Sequence, residues 1–316
     1  MQNILVTGGA GFIGSNLVHE LEKRYPKASL TVIDDFRGSS FKNLLGFRGD
    51  FLPYDVSDRS WMDRFGDRPL DTIFHLASIT DTTVLDEKKM MFDNVEGFRN
   101  ILELACAKKA DVIYASSAAV YGSIETPAKE ADGGQPNNIY GFSKWVLENL
   151  AKTYQPRIKT VGLRYFNVFG PRETFKGPAA SMIYQLYLQM KAGKRPRIFS
   201  YGEQKRDFVY VEDVVAATIL AKNAKESTVA NAGSGLATTF NEIIDALNEA
   251  LGTRYEPDYF DNPYSFYQNF TQADLSHAAR AFGYKPKYTT YDGVLHYVRH
   301  YLSPENSKKK SGVSRP

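Results

Sequence analysis

Short apolar runs and longer stretches of helical periodicity alternate over the first half of the chain. Asn3–Thr7 is an apolar run closed by Gly8-Gly9, which predicts a buried strand. Phe12–Arg24 sets Ile13, Leu17, Val18 and Leu21 at helical spacing, and Ser29–Ile33 is a second β-rich run ending in Asp34-Asp35. Phe51–Tyr54, Thr72–Leu76, Val112–Ser116 and Thr160–Leu163 predict further strands, with helices over Glu87–Lys108 and Tyr140–Tyr154. Strands alternating with helices imply βαβ units, and so an α/β fold with a doubly wound parallel sheet.

Beyond about residue 165 the rhythm breaks. Gly170-Pro171 and Gly177-Pro178 mark a long irregular segment, followed by a helix over Ala179–Ala192. Phe208–Tyr210 leads into a helix over Glu212–Lys222, and Thr228–Ala232 predicts another strand. Asn241–Leu251, Ala273–Phe282 and Tyr291–Leu302 have helical patterns.

Composition narrows the class. The 316 residues are 43% hydrophobic and 24% charged, which excludes disordered, collagen-like and coiled-coil chains. No apolar run approaches the roughly 18 residues of a membrane span. The N-terminal residues show no secretion signal, and Cys106 alone excludes an internal disulfide framework; a cytoplasmic enzyme with Cys106 buried in a helix is the expectation. The net charge of +3 resides in the tail 303–316, where Lys308, Lys309, Lys310 and Arg315 face one acid, Glu305. That tail reads as disordered. The neutral body argues against nucleic acid or membrane as a partner.

The strongest local signal is Thr7-Gly8-Gly9-Ala10-Gly11-Phe12-Ile13-Gly14. Gly8, Gly11 and Gly14 fall between a strand and a helix, where glycines permit a tight turn and close approach of a pyrophosphate to a helix N-terminus. Asp34 ends the second strand, 20 residues after Gly14, where a carboxylate accepts hydrogen bonds from an adenosine ribose. A dinucleotide is the ligand this order calls for. Asp34 favours NAD, whereas Arg37 and Lys42 offset the repulsion of a 2′-phosphate, so NAD and NADP both remain open.

Tyr140 and Lys144 stand four apart on a predicted helix and share its face. A phenol titrates near 10 unaided, and an adjacent ammonium and an oxidised nicotinamide ring favour its phenolate. Upstream, Ser116-Ser117-Ala118-Ala119 follows a strand directly, at the edge where doubly wound sheets hold ligands. Ser117 there is a hydrogen-bond partner for a reacting oxygen.

Cradle, Ser117 and Tyr140/Lys144 together resemble the extended short-chain dehydrogenase/reductase family across almost all of residues 1–302. The resemblance implies a Rossmann domain over 1–166 with a segment returning at about 208–232. It implies a smaller nucleotide-sugar lobe over 167–207 and 233–302. Arg206-Asp207-Phe208-Val209-Tyr210 looks like the family's lobe junction, where the arginine meets the diphosphate. Arg164–Glu173, Lys176-Gly177, Ala180-Ser181 and Phe270–Leu275 are similar to the branch of ADP-glycero-manno-heptose 6-epimerases of lipopolysaccharide heptose synthesis.

That branch implies Lys176 as a second acid/base, because a ketone that turns over before reduction moves its oxygen beyond the reach of one base. It also implies Asn167, Gln185, Phe199, Ser200, Tyr201, Gly202, Arg206 and Tyr267 at the substrate, with Ser117. Phe12, Ile13, Asp35, Lys42, Leu76, Ala77, Ser78, Asn94, Val168 and Lys176 would join the cradle, Tyr140 and Lys144 at the cofactor. NADP is the implied cofactor, with NAD possible, and a homo-oligomer, a pentamer, is the implied assembly. Pro178-Ala179 departs from the Ser-Met often found in the branch. The close rival is a UDP-hexose 4-epimerase, which needs no lysine at 176. Ala118-Ala119 lack the acid pair with which a dehydratase expels water.

His296 and His300 lack a third metal ligand and read as a surface helix, and no metal site is expected. His75 reads as a packing residue.

Overall fold

The structure, a computed structural model, describes residues 1–80, 86–123, 127–261 and 270–303. Tyr267 and the basic tail beyond residue 303 lie outside the described residues.

The first half builds a sheet whose strands are β1 (Asn3–Thr7), β2 (Ser29–Ile33), β3 (Asp50–Leu52), β4 (Thr72–His75), β5 (Asp111–Ser117) and β6 (Thr160–Tyr165). Between them run α1 (Phe12–Arg24), α2 (Glu87–Lys108) and α3 (Ile139–Tyr154). A late strand, β11 (Thr228–Ala232), joins beyond β6, giving the all-parallel order β11-β6-β5-β4-β1-β2-β3. The chain leaves β1 toward β2 and later resumes beside β1 at β4, so the C-terminal ends of β1 and β4 flank the crevice where such sheets bind ligands.

Both faces of this sheet are covered, as its apolar strands require. Ile4 and Val6 of β1 point into one core, with Leu17, Val18 and Leu21 of α1, while Leu5 points into the other, with Phe98, Ile101 and Leu102 of α2. That alternation is the period-two geometry of a strand.

The second half supplies β7 (Asn167–Phe169), α4 (Met182–Lys191), β8 (Arg197–Phe199), β9 (Lys205–Arg206), β10 (Phe208–Tyr210) and α5 (Val211–Leu220). After β11 come β12 (Thr238–Thr239), α6 (Phe240–Leu251), β13 (Asp258–Phe260), α7 (Ser276–Phe282) and α8 (Thr290–Tyr297). These form short two-stranded ribbons, β10 with β7, β12 with β9, and β13 with β8. A third core gathers Phe169, Ile183, Leu186, Phe208, Phe240, Ile243 and Val294. Of residues 208–232, β11 enters the seven-stranded sheet, whereas β10 pairs outside it.

Several element ends differ from the sequence pattern for local reasons. The helix expected from Ala179 begins at Met182, because Gly177 has φ +56, Pro178 follows, and Ser181 caps the first turn by accepting from Tyr184 N–H. The last helix ends at Tyr297 and passes into a wider π turn over Val298–Leu302. Cys106 is half-buried on α2 rather than buried. Among the described residues no helix is long and apolar enough to cross a membrane.

Candidate active site

Residues Gly8 to Gly14 wrap the N-terminus of α1. Gly8 has φ +69, and a Cβ on it would meet Ala77 N at 2.6 Å. A Cβ on Gly14 would stand 2.0 Å from the Gly8 carbonyl oxygen, so the helix approaches the turn only because that atom is missing. Gly11 is the N-cap, with extended backbone and no side-chain hydrogen bond to the first turn. The helix thus keeps its positive end for an anion brought from outside. Close backbone approach, an uncapped helix end and a carboxylate beyond the second strand together fit a dinucleotide.

That carboxylate, Asp34, is held rigidly. Its Oδ2 accepts from Ala10 N–H at 2.9 Å, and its Oδ1 accepts from Phe36 N–H at 2.9 Å and from Ser39 Oγ at 2.6 Å. Arg37 lies between three acids: it pairs with Asp35, with Asp55 at 3.0 Å and with Asp93 at 2.5 Å. Lys89 also reaches Asp93, at 2.8 Å. Asp93 and Lys89 are site residues that the motifs do not reveal; their one trace in the sequence is an opposite-charge pair four apart, next to Asn94.

At the other end, β5 finishes at Ser117, which caps a short 3-10 turn by accepting from Ala119 N–H at 3.1 Å. Tyr140 sits in the first turn of α3, which is started by Asn138 accepting from Gly141 N–H at 2.8 Å. The Ser117 side chain neighbours the Tyr140 phenol. Burial raises the phenol's pKa above its ordinary value, and the neighbouring Ser117 hydroxyl opposes this. Lys144 is buried, donates to the Ala115 carbonyl at 3.0 Å, and is pushed down to about 7 by burial.

Asn94 ties the loop after β4 to this corner. It exchanges hydrogen bonds with Ile79 at 2.8 and 3.1 Å and donates to Ser143 Oγ at 3.0 Å. His75 pairs with Thr7 Oγ1 at 2.8 Å, stacks on Phe98, and is pushed down to about 3 by burial, so it packs as a neutral ring.

One cleft of about 870 Å³ joins these parts. Its lining includes Gly8, Gly11, Phe12, Ile13, Gly14, Asp34, Asp35, Leu76, Ala77, Ser78, Asn94, Ser117, Tyr140, Lys144, Val168 and Lys176. Arg37, Lys89 and Asp93 line it as well. Lys42 does not; it lies over the Phe175 ring at 5.9 Å. Lys176 is half-buried over the Phe12 ring at 5.7 Å, and burial lowers its pKa while Glu173 raises it.

Among the described residues expected at the substrate, Asn167, Gln185, Phe199, Tyr201, Gly202 and Arg206 are not part of this cleft's lining. Asn167 opens β7 and donates to Asp207 O at 3.3 Å, and Gln185 of α4 donates to Gly177 O at 2.9 Å. Phe199 ends β8, the backbone of Ser200 continues into a 3-10 turn with Tyr201 at φ 56 and Gly202 at φ +70, and Arg206 ends β9. His296 bonds Tyr210 and stacks near His300, and among the described residues no group of three or more His, Cys, Asp or Glu can hold a metal.

Residues 4–233 match the model of the NAD dependent epimerase/dehydratase family. The chain belongs to that family. It is 38% identical over 310 residues to an ADP-L-glycero-D-manno-heptose-6-epimerase of Brachyspira hyodysenteriae, covering 93% of this chain and 96% of the relative. The crystal structure of the Helicobacter pylori ADP-L-glycero-D-manno-heptose-6-epimerase superposes with a TM-score of 0.90 at 41% identity, over 95% of this chain and 96% of that one. The UDP-glucose 4-epimerase of Thermotoga maritima, solved with UDP-glucose, gives 0.88 at 30% identity, over 98% and 99%. The seven-stranded parallel α/β sheet matches the epimerase structures, and the family's NAD dependence applies here.

Proposed function

We propose that this protein inverts carbon 6 of ADP-glycero-manno-heptose by transient oxidation to a ketone, using Tyr140 and Lys176 as two acid/base groups. The observation that carries the reading is that Lys176, on an irregular loop far along the chain, lines the same cleft as Tyr140, Ser117 and the glycine cradle. Relatives of this name at 38% and 41% identity support the substrate.

Gly8, Gly11 and Gly14 would hold the dinucleotide's pyrophosphate at the α1 N-terminus, and Asp34 would accept from its adenosine ribose. When bound, the nicotinamide supplies a reversible hydride acceptor. Tyr140 Oη takes the proton of the sugar alcohol, and Ser117 Oγ holds that oxygen. Lys144 lies beneath the Tyr140 ring and favours the phenolate when charged. After the ketone group turns over, Lys176 Nζ meets the displaced oxygen and exchanges the proton there. Lys176 is half-buried and lies below its ordinary pKa, which favours the neutral amine that a base requires.

The resemblance implies NADP; the charges around the ribose end support NAD as the tighter ligand. Asp34, Asp35 and Asp93 line that end of the cleft, and Arg37 is already shared among three carboxylates. A 2′-phosphate would add charge to an acidic neighbourhood.

The test is incubation of purified protein with ADP-D-glycero-manno-heptose and, separately, with UDP-glucose. Conversion of the heptose is expected. Conversion of the hexose alone would replace this reading with a UDP-hexose 4-epimerase.

A further inference from the structure

Glu173 has no place in the chemistry above, yet it is fully buried beside the loop that carries Lys176. Its carboxylate accepts from Gly170 N–H at 3.0 Å, Ser181 N–H at 2.6 Å and Ser181 Oγ at 3.0 Å. Those donors stand at the two ends of the loop, so one side chain closes it as a staple. Inside the ring, the Glu173 carbonyl accepts from Lys176 N–H at 2.9 Å.

The same loop is fastened to the cradle. Asn16 of α1 donates to the Pro171 carbonyl at 2.9 Å and accepts from Arg172 Nη1 at 2.9 Å. The Lys176 ammonium then lies over Phe12, the first residue of α1. A buried carboxylate is costly unless donors surround it, and here three donors do so in a segment with little other regular structure.

We propose that Glu173 is the positioning residue for Lys176: by bridging Gly170 and Ser181 it holds the loop closed, so that Nζ faces the cleft beside the cradle. The inference rests on the two-base reading, and it deepens that reading by naming what places the second base. Glu173 does not touch the substrate. Replacing the carboxylate by an amide puts an N–H₂ group among three donors, which opens the staple with little change in volume.

The experiment compares wild type, Glu173→Gln, Glu173→Asp, Ser181→Ala and Lys176→Met as cofactor-loaded enzymes. Each is mixed in single turnover with ADP-D-glycero- and, separately, ADP-L-glycero-manno-heptose, and reduction of the nicotinamide is followed by absorbance. Lys176→Met should slow oxidation of one epimer and spare the other. Glu173→Gln should slow the same epimer by at least about tenfold, with unchanged oxidation of the other and unchanged substrate KM for it. Glu173→Asp keeps the charge but spans less distance, and should fall between. Ser181→Ala removes one bond of the staple and should weaken the same half-reaction in the same sense; it carries the test if Glu173→Gln fails to fold. Selective loss in Lys176→Met, with both epimers unaffected or equally affected in Glu173→Gln and Ser181→Ala, overturns the positioning role. No selective loss in Lys176→Met overturns the two-base reading itself.

Discussion

Lys144 Nζ stands 5.7 Å from the centre of the Tyr140 ring while donating to the Ala115 carbonyl at 3.0 Å. The lysine therefore acts on the phenol as a cation beside an aromatic face, anchored to the end of β5. Burial works on both groups, raising the phenol and lowering the ammonium to about 7. Both shifts favour the neutral forms, and a positive ring entering the cleft would oppose the first by favouring the phenolate.

The buried lysine makes stability depend on pH. Its folded pKa lies below its unfolded one, so the folded state carries the full cost of a buried ammonium below the folded value and loses that cost as pH rises through the unfolded value. Lys144→Met should therefore raise the Tm of the cofactor-free protein relative to wild type most at about pH 6, and the gain should shrink toward about pH 10. Melting curves across that range check it; a gain that grows with pH would contradict the burial of a charged Lys144.

Beneath the same corner lies an ion pair. Arg164 donates to both oxygens of Glu148, at 2.9 and 2.7 Å, and Ser116 Oγ donates to Glu148 Oε1 at 2.5 Å. Both partners are almost wholly buried. Arg164→Met leaves a buried carboxylate with one hydroxyl partner and should cost about 3–5 kcal/mol in denaturant unfolding. A joint Glu148→Leu/Arg164→Met replacement should cost less than the single change. Equal or greater loss in the double variant would contradict the account of an uncompensated charge.

Cofactor choice is testable at Asp93, which holds both Arg37 and Lys89. The wild type should bind NAD at least about tenfold more tightly than NADP, a difference of about 1.4 kcal/mol. Asp93→Asn frees Lys89 and leaves Arg37 with two acids in place of three, so it should narrow that gap. Calorimetric titration of both cofactors decides it, and tighter NADP binding by the wild type would contradict the charge argument.

The sequence pattern carries the Rossmann half well, because its strands are buried on both faces and read as uninterrupted apolar runs. Asn3–Thr7 and Ser29–Ile33 coincide with β1 and β2. The cradle is equally visible, since Gly14 is demanded by a backbone approach that a Cβ would block. The ribbons β7, β8, β9, β12 and β13 are two or three residues long and have no period to detect. Arg164 carries a clue of another kind: a cation inside the apolar strand Thr160–Tyr165 must have a buried partner, and Glu148 stands one turn after Lys144 on α3. Glu173 carries no such clue. Its importance arises from a loop closed in space, and neighbouring residues in the chain give it no pattern.

The most direct test of the account is turnover of ADP-D-glycero-manno-heptose by the cofactor-loaded wild type and by Tyr140→Phe, followed by NMR of the sugar. The wild type should bring the two carbon-6 epimers to equilibrium without net consumption of cofactor, and Tyr140→Phe should fold normally and lose about 10²–10⁴ in kcat. Full turnover by Tyr140→Phe, or a heptose left unchanged by the wild type, would contradict the claim that a phenol in this cleft drives inversion at carbon 6.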